Sequence, residues 1–204
     1  MGKPTNEASK RVRHEISEPL LAKNPFGQVR AALNCLTKSD QKWLSCDFAE
    51  HVVDKLLTPS RGDESIFLTS LKQIRAFMRD DASAAQVGEA CLRADEVDQI
   101  ITQHSRGSSI TSGLAATLIR LTKLCCCQRE LEKANLVARV RHQPGAIDVA
   151  TESCAAIARH IGGRDWDSEN ALIRDGARAR GRDASHEEAA WQVRHILAFC
   201  ESRN

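Results

Sequence analysis

Apolar residues return every three or four positions along most of this chain. Trp43, Phe48, Val52 and Leu56 follow Ser39; Phe67, Leu71, Ile74 and Phe77 follow Asp63; Val87, Cys91, Ala94, Val97 and Ile101 follow Ser83. This is the helical period, and it predicts helices over residues 39–57, 63–79 and 83–103. Ser39 with Asp40 and Ser83 with Gln86 supply caps at two of the starts. The breaks at 58–62 and 79–82 have the length that turns one helix back against the next.

The flanks continue the pattern with more punctuation. Residues 1–13 carry Lys3, Lys10, Arg11 and Arg13 without an apolar run, which predicts a mobile basic arm. Pro19 and Asn24-Pro25 then interrupt the chain before Phe26, Val29, Ala32, Leu33 and Leu36 mark a short helix. After a polar break around Gly107, a long helical run over 111–141 shows Leu114, Leu118, Leu121, Cys125, Leu131 and Val140, and Pro144-Gly145 ends it. A helix over 146–161 stops at Gly162-Gly163. A weaker one over 165–181 contains Gly176, and Ser185 with Glu188 forms a capping box for a last helix with the stripe Ala189, Val193, Leu197 and Cys200. Strand alternation is absent. The expected fold is all-α, one domain over 14–204 with about seven to nine mostly antiparallel helices in a bundle or irregular array.

Composition narrows the core. Of 204 residues, 42% are hydrophobic and 27% charged, an ordinary globular balance, but aromatics make up only 4% and Tyr is missing. Leu, Ile, Val, Ala and Cys must therefore fill the interior, which suits close helix-on-helix contact. The net charge of +2 does not by itself call for a polyanion. Its distribution is uneven: residues 40–100 hold 12 acidic against 7 basic side chains, and 119–142 hold 6 basic against 2 acidic, a dipolar arrangement that steers charged partners. No stretch approaches the ~20 apolar residues of a membrane span, and the N-terminal pattern is not that of a signal peptide. The expected compartment is a reducing cytoplasm, where cysteines such as Cys91 and Cys200 act as small buried hydrophobes.

Candidate chemistry is sparse. Cys125, Cys126 and Cys127, with His142, Cys154 and His160 downstream, invite a zinc reading, but consecutive helical side chains point about 100° apart and cannot converge on one tetrahedral ion. No Cys-x-x-Cys pair accompanies them, so neither a metal nor any other cofactor is expected. Seven histidines are scattered; only His51, beside Glu50 and Asp54, and His186, beside Glu187 and Glu188, have local carboxylates. No nucleophile–base pairing is legible, so catalytic residues, a small-molecule substrate and an enzyme are not expected. The arginines over 159–182 are interleaved with acids and lack aromatic platforms, which disfavours nucleic acid.

Three stretches carry a family resemblance: Asp47-Phe48-Ala49-Glu50-His51-Val52; Ile74-Arg75-Ala76-Phe77 with the Asp80-Asp81 turn leading into Ser83-Ala84-Ala85-Gln86; and Ala190-Trp191-Gln192 with Leu197 downstream. Together they resemble an alanine-rich helical family of bacterial immunity proteins from polymorphic and contact-dependent toxin systems. Residues 118–127 depart from the family pattern in being bulkier and free of His. The resemblance implies non-catalytic binding of a cognate protein toxin in the cytoplasm. The acidic segment would supply the contacts, with Glu50, Asp54, Asp63, Asp80 and Asp81 facing a basic toxin. The alternative from the same pattern is a helical scaffold or adaptor.

Overall fold

A computed structural model of the chain describes residues 6–56, 64–104, 110–126 and 144–202. All regular structure among them is helical, in agreement with the all-α expectation. In chain order the helices are α1 (Asn6–Glu15), α2 (Glu18–Lys23), α3 (Pro25–Asn34), α4 (Lys38–Leu56), α5 (Glu64–Phe77), α6 (Ala84–His104), α7 (Ile110–Cys125), α8 (Ala146–Gly162) and α9 (Ala171–Ser202), with a 3-10 turn at Gly163–Asp167. Asp63, the breaks expected at 58–62 and 105–109, and the part of the long run beyond Cys126, with Cys127, Leu131 and Val140, lie outside the described residues.

Local chemistry sets the helix ends. Ser83 accepts the Gln86 backbone N–H through Oγ at 3.3 Å, and its own N–H donates to Gln86 Oε1 at 2.8 Å, the capping box expected there. Gly163 at φ 60 takes the left-handed conformation that ends α8, where a side chain would be strained. At the start of α4 the cap is Thr37, not Ser39: Thr37 Oγ1 accepts the Asp40 N–H at 3.2 Å. Ser39 faces solvent inside the first turn.

Two apolar clusters share α4 and α8. One joins α4 to α5, α6, α7 and α8 around Phe67, Leu71, Ile74, Leu114, Leu118 and Leu121; the other joins α1–α4, α8 and α9 around Phe48, Leu33, Leu44, Val193 and Ile196. The amphipathic stripes of α4, α5 and α9 thus point inward as the periodicity requires. Helix α8 sits between the clusters and packs on α9, α7, α4 and α3. Its small residues allow this: a Cβ on Gly113 of α7 would fall 2.7 Å from Ala156 Cβ, so α7 lies almost backbone-to-backbone on α8.

Two expectations are corrected. From Asn6 the supposed basic arm is helix α1, because Val12 is fully buried and Ser9 Oγ donates to the Cys200 carbonyl at 3.3 Å. And α9 is one helix of 32 residues rather than two. Gly181 does not break it; the glycine lets α9 press against α8, since a Cβ there would stand 2.6 Å from the Ala158 carbonyl oxygen and 2.4 Å from the Trp166 ring. Ser185 and Glu188 are therefore interior positions, both buried, and not a cap.

Candidate functional site

Helix α4 turns one face to solvent. At 100° per residue, Trp43, Asp47, Glu50 and Asp54 fall within an arc of roughly 60°, opposite the buried Cys46, Ala49, Val52, Val53 and Leu56. Helix α5 flanks the face on one side: Arg75 Nη2 lies 2.8 Å from Asp47 Oδ1 and also pairs with Glu50, while the Arg79 guanidinium stands 5.8 Å from the Trp43 ring centroid. Helix α9 flanks it on the other: His195 Nε2 is 3.0 Å from Asp47 Oδ2, so one carboxylate ties three helices together. Trp191 of α9 is sandwiched between two imidazoles. Its ring stacks on His51 at 3.5 Å and 6° and on His195 at 4.9 Å and 15°, and its edge meets Phe48 at 6.3 Å.

Beneath this layer lies a buried polar group. The Glu188 side chain is 0% exposed, with Lys55 Nζ donating to its Oε2 at 3.0 Å and His51 Nε2 at 3.4 Å from the same oxygen. Burial raises its pKa, and Lys55 pulls it back. His51 moves the other way, down to about 4, through burial first and then the Lys55 charge. The Lys55 ammonium cancels Glu188 at the shared oxygen, so the nearby carboxylate does not rescue the imidazolium. His51 is thus neutral at ordinary pH, held so by burial and by Lys55. Gln192, also fully buried, donates from Nε2 to the Ala150 carbonyl at 3.2 Å and joins the group to α8.

The acidic residues expected to bind a partner are not gathered at one point. Glu50 is half-buried and neutralised by Arg75. Asp54 is exposed one turn further along α4. Asp80 and Asp81 are exposed in the α5–α6 turn beside Arg79, at the Trp43 end of the strip, so roughly 16 Å of helix separates that level from Asp54. Asp80 has φ 66, a conformation Asp and Asn adopt more readily than other side chains. Asp63 lies outside the described residues. Asp47, Arg75, Arg79, Trp43 and His195 were not anticipated as site residues. A signal existed for Trp43, Asp47, Glu50 and Asp54, whose i, i+4, i+7, i+11 spacing puts them on one face.

The buried thiols are poorly suited to nucleophilic chemistry. Burial raises Cys91 to about 11, in agreement with its expected role as a core residue, and pushes the Cys154 and Cys200 thiols up as well. Compared with known proteins, the chain matches no protein family, no curated relative and no solved structure. Among the described residues no helix is long and apolar enough to cross a membrane.

Proposed function

We propose that this protein acts by binding another protein without catalysis, along the exposed strip of α4, and that the partner is a basic bacterial toxin neutralised in the cytoplasm. One observation carries the reading. The three stretches that resemble immunity proteins, far apart in sequence, meet at this strip: Asp47 and Glu50 pair with Arg75, and His51 stacks on Trp191. The strip also has the composition of an interface hot spot. Two of the three tryptophans, Trp43 against Arg79 and Trp191 between α4 and α9, stand partly exposed, and Trp and Arg dominate binding energy at such sites. Their contacts with one another fix their rotamers before binding, which reduces the ordering cost. Asp54, Asp80 and Asp81 around the rim suit a basic partner and would speed encounter rather than set affinity.

Co-expression with the product of the gene immediately upstream tests the proposal. The expected result is a stable complex with that one protein and relief of the growth arrest it causes alone. Asp80→Asn with Asp81→Asn keeps the turn conformation while removing both charges. It should leave stability within about 0.5 kcal/mol, slow association several-fold at low salt and flatten the salt dependence. Absence of both binding and protection refutes the reading; an unchanged on-rate removes the acidic turn from it.

A further inference from the structure

Three sulfur atoms from three separate elements meet beside the Trp43 end of α4. The Cys46 thiol of α4 donates to the Met78 thioether, which follows α5, at 3.4 Å; the Cys125 thiol, at the end of α7, donates to the same sulfur at 3.6 Å. The two thiols are also neighbours, for the Cys125 thiol is the first cause that holds Cys46 protonated, ahead of burial. Neither is in a disulfide. Cys46 is fully buried and Cys125 is 6% exposed, whereas Met78 is only half-buried.

We propose that Cys46, Cys125 and Met78 form a binding site for a soft monovalent metal ion, copper(I). Thiolate and thioether ligands select such ions, and a three-coordinate ion suits three converging sulfurs. With metal–sulfur bonds of about 2.3 Å, a trigonal site places its sulfurs about 4 Å apart, so the two distances to Met78 have only to lengthen by about half an ångström. Met78 has the side-chain freedom to do this, being unbranched and near the surface. No three His, Cys, Asp or Glu side chains among the described residues converge on a point, so a harder ion such as zinc finds no comparable ligand set. On binding, both S–H bonds break and two copper–thiolate bonds form. Two protons leave, the metal keeps its oxidation state, and the site gains one net negative charge. Arg75, whose charge acts on Cys46, and Lys42, whose Nζ donates to the Cys125 carbonyl at 3.2 Å, offset that charge, with Asp47 opposing them. Cys125, Cys126 and Cys127 cannot share an ion because adjacent helical side chains diverge. Cys125 instead finds its partners on two other elements.

The test is anaerobic titration of the reduced full-length protein with acetonitrile-stabilised copper(I) against bathocuproine disulfonate. The expected result is one tightly held ion per chain with thiolate-to-copper absorption, and X-ray absorption showing three sulfurs at about 2.3 Å. Met78→Leu, close in shape and unable to ligate, should weaken retention at least about 10-fold without unfolding the protein, and Cys46→Ala should lose the tight equivalent. Retention unchanged in Met78→Leu and in a helical, folded Cys46→Ala protein overturns the proposal, because the other cysteines would then hold the ion. Loss of all copper to the competitor by the unmodified chain overturns it as well.

Discussion

Trp191→Ala is expected to be among the most destabilising single changes on the partly exposed surface of this protein, costing about 2 to 3 kcal/mol and lowering Tm by roughly 5 to 10 °C. The indole is half-buried, so the loss falls below that of a fully buried tryptophan. Its role exceeds its area, however, because it fills the space between α4 and α9. Removing it strips the stacking partner from His51 and His195 together and takes an aromatic neighbour from Phe48. Trp191→Phe should recover about half of the loss, since an aromatic face remains. Thermal unfolding of the three proteins decides this. A drop below about 2 °C for Trp191→Ala would mean that α9 is fixed by its contacts with α8 and α3 without the indole.

A second large effect is acid sensitivity centred on His51. Its folded pKa of about 4 lies below the ordinary 6.5, so its contribution to stability is present above pH 6.5 and is lost as pH falls toward 4. Protonation leaves a poorly hydrated imidazolium beside the Lys55 ammonium, a cost on the order of 2 kcal/mol once the partial exposure of both groups is allowed for. Glu188 works in the opposite sense. Its raised pKa means that stability is full below its ordinary range and declines as pH rises through the folded value, so the buried carboxylate weakens the protein near neutrality. His51→Phe keeps a flat ring against the indole and cannot titrate. Denaturation measured from pH 7 to pH 4 should therefore fall less steeply for the variant than for the parent, by about that amount. Parallel curves would contradict the neutral stack.

The core was legible because it follows one rule. Val52, Leu71, Val87 and Val193 lie on stripes of period 3.6, and each is buried. Ser83 with Gln86 and Gly162-Gly163 were legible for a similar reason: the groups that end a helix are its immediate neighbours. Helix α9 was misread because Gly181 has two meanings. In isolation it weakens a helix, but here it admits the Trp166 ring and the Ala158 carbonyl, and only the tertiary partner distinguishes the two. Ser185 and Glu188 have the spacing of a capping box, yet Glu188 points at Lys55, 133 residues away. The α4 face itself has a readable spacing, but its partners on α5 and α9 were illegible for the same reason. Asp47 and His195 are 148 residues apart, and a local period carries no record of which helix faces which. The sulfur triangle also draws on three elements, each contributing one unremarkable apolar position.

The most direct test of the α4 strip as a binding surface is the affinity of Trp43→Ala for the protein encoded upstream, measured alongside its stability. Trp43 is partly exposed, contacts Arg79 and packs on neither apolar cluster, so its truncation should cost the fold little while removing an anchor from the interface. The account predicts a loss of at least about 2 kcal/mol in binding, roughly a 30-fold weaker Kd carried mainly by faster dissociation, with a Tm change of only a few degrees. An unchanged Kd for this variant, in a protein that still protects the cell, would place the proposed partner on another face and contradict the account.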